Sequence, residues 1–135
     1  MSDNRREALE ALRDKVKAGN DIQPREFRVI APEGLIANDD LYEFWIDAWV
    51  NAEKAHNGSL DAAKALHKAV LPDLGWEVTR VSKYPGMIPG SSPFEFRADV
   101  GWGTTWVGRA DDPARAWLLS ILSALISETP KRETP

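Results

Sequence analysis

The chain contains no cysteine, which excludes disulfides, thiolate catalysis and cysteine-bound zinc together and fits a reducing cytoplasm, the expected localisation. Histidine is scarce: His56 and His67 flank an expected helix break, and no His-Glu-x-x-His arrangement completes a site, so no metal or other cofactor is expected. Missing as well are a glycine-rich phosphate loop, a nucleophile elbow and a Ser-His-Asp order, which disfavours an enzyme. No apolar run approaches the roughly 20 residues that span a bilayer, and the N-terminus is polar, so no membrane is expected. Excess positive charge is lacking too. Seventeen Lys and Arg face 21 Asp and Glu for a net charge of −4, which disfavours nucleic acid as a partner.

What is present is enough for one domain: 135 residues, 43% of them hydrophobic, can build a real core. The organising stretch is 94–127. Phe94, Phe96, Ala98 and Val100 alternate with Glu95, Arg97 and Asp99, the period-two pattern of a strand with one face on a core. Thr104-Thr105-Trp106-Val107 follows one Gly-Trp-Gly turn later, predicting an antiparallel hairpin. Asp111 or Asp112 can cap a closing helix over 112–127, with Pro113 in its first turn and Ala114, Trp117, Leu118, Ile121, Leu122 and Leu125 at helical spacing.

Taken in order, residues 3–18 carry Leu9, Leu12 and Val16 on a narrow amphipathic helix that ends at Gly19. The 20–38 connector holds Pro24, Pro32 and Gly34, which exclude a continuous helix; Phe27, Val29 and Ile30 suggest a short extended segment. A second helix is expected over 39–56, capped by Asn38 or Asp39, with Leu41, Phe44, Trp45, Ala48, Trp49 and Ala52 inward. Ser59 can cap a third, to about Val70, with Leu60, Ala63, Leu66 and Val70 inward. A three-stranded meander over 75–109 begins at Trp76-Glu77-Val78, and a polar tail, 128–135, is expected to be disordered. The fold class is therefore α+β: N-terminal helices, a three-stranded antiparallel meander and a closing C-terminal helix in a layered α/β sandwich.

Four ordered patterns carry a family resemblance: Ser59-Leu60-Asp61-Ala62-Ala63, Leu74-Gly75-Trp76-Glu77-Val78, Phe96-Arg97-Ala98-Asp99-Val100, and Asp112-Pro113-Ala114-Arg115-Ala116-Trp117-Leu118-Leu119. Over about 55–127 the chain resembles the phage ABA sandwich domain family of small bacteriophage and prophage proteins. The resemblance implies a phage or prophage origin and a three-layer α/β/α order, and it implies no activity. The helix-meander-helix order also resembles double-stranded-RNA-binding domains, but the position where those grip phosphates reads Asp111-Asp112-Pro113-Ala114 here.

Of the six tryptophans, Trp45, Trp49, Trp76 and Trp117 are expected on core stripes, whereas Trp102, between two glycines, is either packed or a partner anchor. Tyr84 and Met87 lie in the proline- and glycine-rich 83–93 loop. Tyr84, Met87 and Trp102 are the candidate partner-binding residues, in two patches at opposite ends of the second strand. Glu95, Arg97 and Asp99 read as a solvated sheet face, or as a polar layer or a site if the N-terminal helix covers them. The leading expectation is a small phage- or prophage-encoded, non-enzymatic protein that binds a host or phage protein. Alternatives are an inhibitor of a bacterial defence system, anti-CRISPR or similar, and a ligand-binding or enzymatic domain using the 83–93 loop.

Overall fold

A helix that is apolar on every side must be covered on every side, and α4 (Pro113–Glu128) is such a helix: eleven of its sixteen residues are buried. The sequence stripe assigned it one inward face, but Ala116, Leu119, Ser120, Ala124 and Ile126 are buried as well. In the computed structural model, which describes residues 2–19, 21–31, 42–82 and 94–128, a sheet covers one side of α4 and helices cover the other.

The sheet is an antiparallel meander of β1 (Trp76–Ser82), β2 (Phe94–Trp102) and β3 (Thr104–Ala110), in the order β1-β2-β3. Its register pairs Val78 with Ala98 and Ala98 with Gly108. Ala98 and Val100 are buried under α4, as the alternation requires. At Gly108 the helix rests almost directly on the strand: a Cβ there would lie 2.2 Å from the Ala116 carbonyl oxygen and 2.6 Å from the Ser120 nitrogen. Beside it the Ser120 hydroxyl donates to the Trp106 carbonyl.

On the far side of α4 lie α1 (Ser2–Ala18), α2 (Tyr42–His56) and α3 (Leu60–Val70). Leu9, Leu12 and Val16 of α1 are buried as expected, and Arg6 donates to the Ile126 carbonyl, tying α1 to the end of α4. Gly19, at φ 73, stops α1 in a left-handed conformation. The layer order is thus sheet, α4, N-terminal helices. The α/β/α order implied by the family resemblance would put the sheet in the middle; here α4 takes that place, because its apolar far side needs the cover.

Several local expectations change. Phe27, Val29 and Ile30 lie in a 3-10 helix, Pro24–Ile30, in place of an extended segment. Pro24 opens the turn and Gln23 and Glu26 form a capping box; the tight winding then buries Phe27 and Ile30, three residues apart, on one side. In α2 the buried stripe is Ala48, Ala52 and Ala55, while Trp45 and Trp49 are only half-buried and Phe44 is exposed. Small residues let α2 approach its neighbours, and the large rings flank that contact; the Arg28 guanidinium sits 5.4 Å over Trp49. Leu60, expected inward, is 44% exposed, because the α3 face that packs inward holds Ala62, Ala63, Leu66 and His67. Ser59 does cap α3, accepting from the Ala62 nitrogen at 3.1 Å, and Asp112 caps α4, accepting from the Arg115 nitrogen at 3.0 Å. The expected caps of α2, Asn38 and Asp39, and the tail from 129 lie outside the described residues.

The Gly108 contact gives a direct test of how α4 seats. Gly108→Ala is expected to destabilise by about 3 kcal/mol, the upper part of the overpacking range, because backbone atoms cannot yield as a side chain can. Urea unfolding measures it, and a loss under about 0.5 kcal/mol, the level of a neutral surface change, would mean that α4 does not lie against β3.

Candidate functional site

With α4 on one face, alternation places Glu77, Thr79, Glu95, Arg97, Asp99 and Thr105 on the other, and no described helix covers them. Register brings Arg97 directly opposite Arg109, a like-charge pair that would repel. Each arginine has its own acid. The Arg97 guanidinium grips Asp99 with two nitrogens, Nε at 3.1 Å from Oδ2 and Nη2 at 3.0 Å from Oδ1. Arg109 lies 3.9 Å from the Glu95 carboxylate. Thr105 Oγ1 donates to Asp99 Oδ1 at 3.2 Å, so one carboxylate joins two strands. Arg97 accordingly holds the Asp99 carboxyl below its ordinary value against the opposing effect of partial burial, and Asp99 raises Arg97. The result is a mixed-charge face around an open depression of 630 Å³.

Trp102 stands at one end of this depression. Its even position matches buried Ala98 and Val100, yet it is 74% exposed: Gly101, at φ 130, redirects the strand just before it. The indole is nonetheless held. Its Nε1 donates to the Asp73 carbonyl at 2.8 Å, and the ring lies over Gly75, where a Cβ would fall 2.6 Å from it. Of the two roles that the sequence left open, the packed one is thus seen in part, since Trp102 latches the turn before β1 while most of its indole stays exposed. Tyr84 and Met87 lie outside the described residues. The ends that their loop joins, Ser82 and Phe94, pair with each other at the opposite end of the sheet from Gly103.

A second clamp holds the same turn from below. His67 Nε2 bonds the Leu74 carbonyl at 2.8 Å, and its Nδ1 accepts from Trp117 Nε1 at 3.2 Å. Those two bonds define one neutral tautomer, Nε2–H, and leave neither nitrogen for a metal. Trp117, 3% exposed, stacks on Trp76 with ring centroids 4.2 Å apart. Trp76 is itself 44% exposed, against the expectation of a core position, because β1 is an edge strand: its ring meets Trp117 on one side, and among the described residues no strand covers the outer edge. No spacing in the sequence marks His67 as the residue linking α3, α4 and β1.

Among the described residues no group of three His, Asp or Glu is placed to hold a metal ion, and no helix is long and apolar enough to cross a membrane. Arg115, one of the basic residues near the start of the last helix, donates to the His56 carbonyl at 3.0 Å and so holds α2 against α4. Compared with known proteins, the chain matches no family model, no curated protein and no solved structure.

The His67 clamp makes stability depend on pH. Burial pushes the imidazole below its ordinary value, against the smaller opposing pull of the Leu74 carbonyl. The unfolded chain therefore takes up a proton first. The contribution of neutral His67 is fully present above about pH 6.5 and is lost as pH falls below that, toward the lower folded value. His67→Gln offers one donor and one acceptor without titrating. Between pH 7 and 5 the native chain is expected to lose more unfolding free energy than this variant; parallel curves would show that His67 titrates as if exposed.

Proposed function

We propose that this chain is a non-enzymatic binding protein that presents the open face of its sheet, with Trp102 at one end, to a protein partner. The observation that carries this reading is the asymmetry of the sheet: α4 seals one face, while the other displays a mixed-charge network ending in a 74% exposed indole. Exposed tryptophan beside arginine is the composition of protein-interface hot spots. The displaced titrations support a non-catalytic role, because each belongs to a structural pair: Lys15 with Glu26, Arg97 with Asp99, and His67 with its two hydrogen-bond partners. A host or phage protein is the partner that the family resemblance suggests.

Charge favours a protein over a phosphate backbone, and it also argues against mimicry of one. Glu95 and Asp99 are matched by Arg109 and Arg97, so neither forms part of an uncompensated carboxylate row of the kind that would stand in for phosphates. Inhibition of a defence system remains compatible with this surface only through ordinary protein docking.

The test is capture from host lysate by the immobilised chain, with the bound protein identified by cross-linking and mass spectrometry. Trp102→Ala and Arg97→Glu, each confirmed as folded by circular dichroism, are expected to reduce capture by about tenfold or more, the loss of one hot-spot side chain. Full capture by both folded variants would remove the open face from consideration.

A further inference from the structure

The open face of the sheet carries one carboxylate that nothing matches, and it lies beside the exposed indole. Among the described residues, the charged side chains lining the 630 Å³ depression are Glu77, Arg97 and Asp99. Register sets Glu77 directly opposite Asp99, a like-charge pair that costs stability unless a cation intervenes. Arg97 intervenes for one of them only. Its Nε and Nη2 are both spent on Asp99, at 3.1 and 3.0 Å, and the Thr105 hydroxyl adds a third contact to the same carboxylate. The Glu77 carboxylate is exposed and has no ion pair or hydrogen bond among the described residues. Asp99 does most to hold the Arg97 guanidinium charged, and Glu77 adds a smaller push through space alone.

Trp102 supplies the other half of the site. The benzene end of its indole rests on Gly75, where an added Cβ would meet ring carbons Cη2 and Cζ3 at 2.6 and 2.7 Å. Gly101 N–H donates to the Gly75 carbonyl at 2.9 Å, which carries the β1–β2 ladder back to Gly75. Glu77 therefore projects from the same face about 7 Å further along the strand. The bond from Nε1 to the Asp73 carbonyl holds the ring in place, so its outer face stands open with an unmatched carboxylate beside it. A π face attracts a cation, and a carboxylate accepts the planar fork of a guanidinium. The far edge of the sheet is different: Glu95 has Arg109 there, and α1 adds Arg13 and Lys17 against Asp14. The negative excess is thus confined to the Trp102 end.

We infer that the Trp102 end of the open face receives an arginine side chain of the protein partner, its guanidinium stacked on the outer face of the indole and bonded through its fork to Glu77. This rests on the open-face reading above and names the partner chemistry which that face selects, a basic protrusion. The depression is too open to enclose a free guanidinium. A side chain delivered by a folded partner fills it, because the partner's own backbone covers the remaining floor at Thr79, Val81 and Thr105.

The probe is N-acetyl-arginine amide, titrated at low salt into the isotope-labelled full chain and followed by NMR. Saturable shifts of the Trp102 indole N–H and the Glu77 amide, half-complete at about 10 mM or below, are expected for one stacked and charge-paired group. N-acetyl-citrulline amide has the same shape without the charge and should bind about fivefold more weakly or worse. Glu77→Gln should weaken the arginine amide by about the same factor while the indole N–H signal keeps its position, which reports the latch and the fold intact. Trp102→Ala should abolish binding, whereas Glu95→Gln, which removes a carboxylate that already has Arg109, should leave it unchanged. Equal binding of the citrulline amide, an unchanged half-point in Glu77→Gln, or no shift up to about 50 mM would overturn the inference. In capture from host lysate, Glu77→Gln is expected to reduce recovery about fivefold. Capture that needs Trp102 but tolerates Glu77→Gln would overturn the arginine and leave the open-face reading standing. If neither Trp102→Ala nor Arg97→Glu affects capture, that reading falls and this inference falls with it, whatever the titration shows.

Discussion

The burial of α4 on all sides is the constraint from which the other features follow. A helix with Leu118, Ile121, Leu122 and Ala124 around its circumference has no face that water can wet without cost. The meander alone covers too little of it, so α1, α2 and α3 close the far side. One sheet face is consumed by this arrangement, down to the close approach at Gly108. The other face is left to charged and polar residues, because the helices that could have covered it are already used on α4.

That division of labour also places the surface proposed for binding. Both the Trp102 latch and the His67 clamp act on the short stretch 71–75 that leads from α3 into β1. Rigid attachment there fixes the start of β1, and with it the positions of Trp76 and of the exposed indole. A binding surface gains from such preorganisation, since less ordering remains to be done when a partner arrives. The same geometry leaves β1 as one edge of the sheet, with a groove between it and α3.

The sequence conveyed the parts that depend on local periodicity. Alternation separated Ala98 and Val100 from Glu95, Arg97 and Asp99, and the caps at Ser59 and Asp112 followed from their placement before apolar helices. Features that depend on long-range packing were not legible. Nothing in the spacing of α2 said that Ala48, Ala52 and Ala55 would be the buried stripe in preference to its tryptophans. Leu60 and Trp76 begin their elements, where a helical or strand period does not fix which way the side chain meets its neighbours. Of the candidate site, Arg97, Asp99 and Trp102 could be named from the sequence. Their partners Thr105, Arg109 and the Asp73 carbonyl come from register and chain reversal, which no local pattern encodes. Phe27 and Ile30 show a third case, in which a proline read as a helix breaker opened a 3-10 turn.

The central claim, that α4 is the doubly covered middle layer, can be measured amide by amide through native-state hydrogen exchange. If it holds, the amides of Leu118, Ile121 and Leu122 exchange only through global unfolding and are the slowest in the chain, with opening free energies above those of α1 and α2. Exchange of these α4 amides through a local opening, at a free energy below that of the α1 or α2 amides, would contradict the account.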